Sequence, residues 1–294
     1  MISVLGLVVL IVMVFGGFAL TGGNLGVVLD ALPHEMLIIG GAAAGATLVS
    51  TDLKGIKAMG AGFAAIVKGP KYKKADYSAA IFLTARLMKM FRNDGAVAVE
   101  PHIEDPKSSS IFAEYPQFRK DRVFLHLLTD SIRLLVASTG NLSPYAVEEV
   151  IDTAIETHHT AAPKPVERLQ TMSDALPALG IVAAVLGVIK TMASIDKPPA
   201  VLGGMIGSAL VGTFLGVLLS YGIVNPAAAR LKAVLEADGE IYLVVRRVIV
   251  ASLKGQPQPL VIEAARTAIG PDNQPSFLEV FDGLRAAKRS RKAS

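Results

Sequence analysis

The first twenty residues, MISVLGLVVLIVMVFGGFAL, carry no charge. A helix of about 20 apolar residues crosses the ~30 Å hydrocarbon layer of a bilayer, and few other structures accept such a segment. After a polar break at residues 21–24, a second uncharged stretch covers residues 36–49, reaching spanning length only with a few flanking residues. Residues 175–189 and 200–224 form another apolar pair, separated by the short polar turn SIDKPP at 194–199. The reading is an all-α membrane protein with four transmembrane helices in two hairpins. A cleaved signal peptide, the alternative for the first block, would need a basic leading region, which is missing, and a small-x-small cleavage site, for which the stretch offers no convincing candidate.

The positions of the basic residues predict the topology. Of 29 Lys and Arg, none lies in residues 1–50, 16 lie in 51–171, 2 in 172–224 and 11 in 225–294. Two segments therefore hold 27 of the 29, and both are expected on the cytoplasmic side. An even number of spans separates them, which agrees with two hairpins and places both termini inside. The expected organisation is a first hairpin at 1–50, a helical cytoplasmic domain at 51–171, a second hairpin at 172–224, and a cytoplasmic helix continuing the fourth span at 225–294 with a basic tail. Overall composition, 52% hydrophobic and 18% charged, is the average of these two materials; an ordinary soluble domain carries about 25% charged residues.

Between the hairpins the pattern is helical. Ile81, Leu83, Leu87, Met88 and Phe91 recur at helical spacing, as do Leu125, Leu128, Ile132 and Leu135. Ser143 before Pro144 reads as the N-cap of a helix reaching about His158. Gly69-Pro70, Asp105-Pro106, Tyr115-Pro116 and Pro163-Lys164-Pro165 read as loops, and helical pattern continues past Pro226 to Leu253. The last forty residues are Pro-interrupted and read as weakly ordered.

No catalytic constellation appears, so an enzyme is not expected. The sequence lacks a Walker A loop, a G-x-S-x-G elbow and an H-E-x-x-H motif, and it has no Cys at all. His158 and His159 are adjacent and point to different helix faces, a poor arrangement for a metal. His126 and Asp130, four apart, can touch, which reads as an ordinary surface or core hydrogen bond rather than a site. Neither a cofactor nor a resident metal is expected, and the basic residues form no aromatic-interleaved face suited to nucleic acid. The run at 288–292 reads as a solvated or headgroup-touching tail.

The four apolar stretches contain no Asp, Glu, Lys, Arg or His near their centres, although such groups normally mark ion relays. What they contain is small residues: Gly203, Gly207, Gly212 and Gly216 in the fourth span, and Gly40, Gly41, Ala44 and Gly45 in the second. Small-xxx-small faces let helices approach closely, within the bundle or between copies of the chain. Thr213 can bond its own backbone or face an aqueous path, and Tyr221 reads as an interfacial residue. Pro177, just inside the third span, and Pro226, just beyond the fourth, read as helix ends or as bendable joints.

Three separated motifs resemble the MotA family of flagellar motor stator subunits: DALPALGIVAAVLG at 174–187, VGTFLGVLLSYGIVNP at 211–226, and RLMKMFRNDGAVAVEPHIEDP at 86–106 continuing to IFAEYP at 111–116. The resemblance implies a homopentameric ring around two copies of a single-span MotB-type protein, whose transmembrane Asp carries the ion. It also implies a rotor partner, FliG, engaged through Arg92 and Glu100, with Pro177 and Pro226 coupling ion flow to torque in the inner membrane. Ala184, Thr213 and Tyr221 would line the ion pathway. Sodium-driven relatives have a Thr seven residues after the third-span proline; here that position is Ala184, so a proton is the expected ion. ExbB/TolQ-type energisers of outer-membrane transport are the nearest alternative, with a secondary transporter or membrane scaffold further off.

Overall fold

The computed structural model describes residues 2–138, 142–162 and 164–290. Residues 291–292 of the basic run and Pro163 of the Pro163-Lys164-Pro165 stretch lie outside the described residues. Secondary structure in the described residues is helical, without strands. The helices are α1 Ile2–Ile11, α2 Gly17–Leu20, α3 Leu25–Ser50, α4 Leu53–Lys68, α5 Lys74–Asp94, α6 Ala96–Glu104 and α7 Ser110–Ala113. They continue as α8 Arg122–Ala137, α9 Pro144–Ala161, α10 Lys164–Met192, α11 Pro199–Val217, α12 Asn225–Leu253, α13 Gln258–Arg266 and α14 Phe277–Ser290. A π-helical segment, Val12–Gly16, joins α1 to α2, and a second, Leu218–Val224, joins α11 to α12.

Four helical stretches are long and apolar enough to cross a membrane: Ile2–Leu20, Leu25–Ser50, the apolar part of α10, and the run that begins at Pro199. The turn between the first two is built by Gly22, whose φ of 84° only glycine adopts freely, and by Asn24, whose side chain accepts from the Gly26 N–H at 2.9 Å. That cap starts the second span at Leu25. The expected start at Met36 is therefore corrected: the helix takes in Asp30, Pro33, His34 and Glu35, all of which a search for uncharged residues passes over.

The chain divides into two compact units, one of residues 1–69 and 162–234, the other of residues 70–161 and 235–294. In the first, small residues and a few aliphatics make a thin core of Ile39, Ala43, Leu176, Ala183 and Leu215, while Leu37, Val182 and Leu210 face outward. Apolar side chains on the outside are what helices surrounded by hydrocarbon require. The backbone groups are satisfied within each helix, so the outer face needs no polar partner.

The second unit has the core of a water-soluble helical domain. Ile81, Leu83, Leu87 and Met88 of α5 and Leu128, Ile132 and Leu135 of α8 are buried, as their spacing predicts. They pack with Phe112, with Phe118 stacked 4.1 Å from Phe124, and with Val245 and Ile249 of α12. Each such side chain contributes roughly 1.5–3 kcal/mol by leaving water. Caps set the element boundaries: Asp121 accepts from the N–H groups of Val123 and Phe124 at 2.9 and 3.1 Å, and Ser143 accepts from Tyr145 at 3.3 Å. Gly95, at φ 82°, ends α5 and permits the immediate start of α6.

Two further expectations change. Pro165 lies in the first turn of α10, where its missing N–H costs nothing. The last forty residues contain α13 and α14, and Val261, Ile262, Ala265, Ile269 and Val280 complete the hydrophobic core of the second unit. Their prolines sit at helix starts or between helices, so the segment folds despite its composition.

Candidate functional site

The closest helix contact in the first unit is between α10 and α11, and glycine creates it. A Cβ placed on Gly180 would lie 2.7 Å from the Gly212 carbonyl oxygen, and one on Gly216 would lie 2.6 Å from the Leu176 carbonyl oxygen. Gly187 makes similar room for Ala209. The fourth-span glycines thus divide by role: Gly212 and Gly216 are consumed by packing within the chain, whereas Gly203 faces open space, as do Gly40, Gly41 and Gly45 of α3.

Pro177 is the fourteenth residue of the 29-residue α10, not a residue near its start. With no N–H, it leaves the carbonyl of Ser173, four residues earlier, without its helical donor. The structure supplies one from the neighbouring span. The Ser220 hydroxyl donates to the Ser173 carbonyl oxygen at 2.7 Å, and the Ser173 hydroxyl lies 3.2 Å from the Ser220 carbonyl oxygen. The two hydroxyl oxygens are 3.1 Å apart, and both serines are buried. Ser220 belongs to the π-helical segment, where the Asn225 N–H reaches back five residues to the Ser220 carbonyl. Pro226 follows directly, as the second residue of α12, inside unbroken helical backbone. Both prolines are therefore internal to helices, and the helix-end reading of each is set aside.

Of the other expected residues, Ala184 and Thr213 are half-buried and Tyr221 is exposed. The Thr213 hydroxyl makes no bond to its own backbone among the described residues. Arg92 and Glu100 are exposed, on α5 and α6. Arg92 Nη1 lies 3.4 Å from the Gln256 carbonyl oxygen, and Arg92 and Glu100 both belong to the second unit. His126 and Asp130 do meet, at 3.7 Å, both well exposed. His158 and His159 diverge: His158 packs edge-on against Tyr242, with ring centroids 5.0 Å apart, and His159 lies beside Gly239.

One residue escaped the sequence reading and corrects it. Glu35 of α3 is only 6% exposed, and its Oε2 has no hydrogen-bond partner among the described residues. A Cβ on Gly212 would lie 2.5 Å from that oxygen, and 3.2 Å from Ala183 Cβ. The spans are not free of ionisable groups at depth; the missing signal was the Asn24 cap, which moves the helix start eleven residues earlier.

Four candidate spans, close glycine-mediated packing and a bonded exchange between two spans at a proline define a helical multi-span membrane protein. Comparison with known proteins agrees. Residues 4–95 match the family model "Motility protein A N-terminal", and residues 119–240 match that of the MotA/TolQ/ExbB proton channel family. The chain is 38% identical to Motility protein A of Salmonella typhimurium over 98% of this chain and 96% of that protein. It is 34% identical to chemotaxis protein LafT of Vibrio parahaemolyticus, over 93% and 94%. Among solved structures, C. jejuni MotAB superposes with a TM-score of 0.71 at 21% identity, covering 92% of this chain and 96% of that one. The Bacillus subtilis flagellar MotAB stator complex gives 0.67 at 21%, covering 88% and 92%. The chain belongs to the MotA/TolQ/ExbB proton channel family, on its motility protein A branch, and is a multi-pass inner-membrane stator subunit of the flagellar motor.

Proposed function

We propose that this chain assembles as a homopentameric ring around two copies of a MotB-type single-span protein, that protons pass between ring and partner, and that Arg92 and Glu100 transmit the resulting motion to the rotor protein FliG. The observation that carries the reading is the division of the glycines. Gly212 and Gly216 are occupied within the chain, while Gly203, Gly204, Gly40, Gly41 and Gly45 leave the backbone open. In a membrane, small residues on an open helix face favour close packing with another helix, and the two solved neighbours are both described as MotAB.

The proton assignment rests on Ala184 and Thr213. A hard cation needs several oxygen ligands, and of the two positions where sodium-driven relatives carry Thr this chain has a hydroxyl only at Thr213, with Ala at 184. Both termini are read as cytoplasmic from the two basic segments. The ExbB/TolQ-type reading belongs to the same broad family, but the matched relatives carry motility and chemotaxis names.

The test is complementation and ion dependence together. A strain lacking the chain should assemble flagella that do not turn, with swimming restored by the gene. Swimming should follow proton motive force at constant sodium. Motion that tracks sodium instead overturns the ion assignment, and a complex purified without a single-span partner overturns the assembly.

A further inference from the structure

We propose that Glu35 is a proton-binding site carried by this chain itself at mid-membrane depth, loaded through the cavity it lines. The inference deepens the proton-conducting reading above and rests on it for its place in the motor, though not for its chemistry.

Depth follows from helix rise. Glu35 is ten residues into α3, Gly212 thirteen residues beyond Pro199, and Ala183 nine residues before Met192. At 1.5 Å per residue these lie roughly 14–20 Å from the same ends of their helices, about half of a ~30 Å hydrocarbon layer. A carboxyl group held there is expensive unless it is neutralised or has a purpose. The fold makes room for it: the carboxyl occupies the space that a side chain at 212 would fill, and no Lys or Arg among the described residues pairs with it.

A cavity of about 560 Å³ reaches Glu35 from the hairpin end of the spans. Its outer part is lined by Lys190 and Thr191 of α10 and by Gly204 of α11. Lower down it passes Ser208 and ends at Glu35, Ala183 and Ala209. The cavity has room for water, and although Val27, Ile38, Leu186 and Met205 make much of its wall apolar, Asp30, His34, Lys190 and Ser208 supply polar partners along it. The ionisable groups facing it are Asp30, His34 and Glu35 from α3 and Lys190 from α10; α11 contributes the Ser208 hydroxyl and no charge. The Thr191 hydroxyl is committed to the Gly187 carbonyl oxygen at 2.9 Å, so the side-chain oxygens open to the cavity are those of Asp30, Glu35 and Ser208. A proton needs only one.

The step is a simple transfer. A hydronium ion in the cavity gives its proton to the Glu35 carboxylate, forming the neutral acid and water. Release returns the proton to a water or carboxylate acceptor and regenerates the anion. Loading removes the charge from the Gly212 contact and release restores it, so α3 and α11 experience two electrostatic states in each cycle.

Infrared difference spectra of the full-length chain, assembled with its single-span partner in phospholipid vesicles, test this directly. Scanned from roughly pH 4 to pH 9, where perturbed carboxyl groups titrate, the wild type should show a protonated-carboxyl band that Glu35→Gln lacks and Glu35→Asp shifts. Gln keeps the shape of the acid against Gly212, so assembly should be retained while proton influx falls by on the order of a hundredfold. Identical spectra for wild type and Glu35→Gln overturn the proposal, as does wild-type influx in an assembled Glu35→Gln complex. Should Glu35→Gln fail to assemble, an unshifted band in Glu35→Asp overturns it in the same way. Failure of the stator reading is distinguishable, because it would appear as normal swimming without the chain while the infrared band still titrated.

Discussion

The Ser220 hydroxyl donates at 2.7 Å to the Ser173 carbonyl oxygen, the acceptor that Pro177 deprives of its helical donor four residues later. A proline inside a span is thus completed by the neighbouring span, at the level where that span becomes π-helical. The exchange ties two helices together through a bond that neither could make alone. It also means that bending at Pro177 and repacking at the π segment cannot occur independently.

The first prediction is a coupling energy. Ser220→Ala leaves the Ser173 carbonyl buried without a donor, which should cost about 1–3 kcal/mol. Pro177→Ala restores an N–H four residues on, so the same Ser220→Ala change made in that background should cost about 1 kcal/mol less. Thermal unfolding of the four purified forms measures the cycle. Additive costs would mean that the serine and the proline act separately. Pro177→Leu, which restores the N–H but also adds bulk, should give assembled flagella that do not rotate.

Pro177 and Pro226 stood out in the sequence because they fall in motifs with a recognisable order, but that both lie inside continuous helix was not visible there. The buried faces of α5 and α8 were legible because Ile81, Leu87, Leu128 and Ile132 repeat at helical spacing in water-facing helices. The second span was not. Its apolar run is interrupted by Asp30, His34 and Glu35, and only the Asn24 cap and the partner surface of Gly212 explain why a helix tolerates them. The serine exchange was invisible for a different reason: Ser173 and Ser220 are 47 residues apart, and nothing local to either announces the other. The C-terminal helices were misjudged because composition counts prolines without seeing that Pro257 stands just before a helix and Val280 ends in the core.

The glycine contact predicts an asymmetric substitution series. Gly216→Ala drives a methyl group to about 2.6 Å from the Leu176 carbonyl, a contact that backbone cannot yield cheaply, and should destabilise the chain by about 1–3 kcal/mol. Gly180→Ala should do the same. Gly204→Ala meets open space within the chain, so its cost to the isolated chain should be within about 0.5 kcal/mol. If packing between copies uses that face, Gly204→Ala should instead weaken assembly, read by native mass spectrometry of the complex.

A pH dependence follows from His158. Burial lowers its pKa, His159 and Lys71 push in the same direction, and only Asp121 opposes them. Its Nδ1 is buried without a partner, so the folded protein favours the neutral ring. The unfolded chain takes up a proton near the ordinary value of about 6.5. Below that value the unfolded state binds more protons, and stability falls as pH falls. The contribution is fully present above about pH 6.5 and is lost on acidification below it, with a slope no steeper than about 1.4 kcal/mol per pH unit. His158→Phe keeps a ring against Tyr242 and should flatten this part of the profile, measured as the difference between wild-type and variant unfolding temperatures from neutral to mildly acid pH.

Arg92 and Glu100 separate a role at an interface from a role in folding. Both are exposed, and the bond of Arg92 to the Gln256 carbonyl, at 3.4 Å, is too long to hold much energy. Exposed charges contribute at most about 1 kcal/mol each, so Arg92→Glu and Glu100→Lys should change unfolding stability by no more than about 0.5 kcal/mol. Complementary charges do more for steering and specificity than for affinity, which suits a contact made and released at each step of rotation. If these residues face the rotor, each reversal should lower torque, and an opposite reversal on the rotor protein should restore part of it. Tethered-cell rotation, measured beside the melting temperature of the same variants, decides the matter. Lost torque with unchanged melting and partial rescue places the charges at the rotor, and torque that falls only with stability would make them ordinary surface residues.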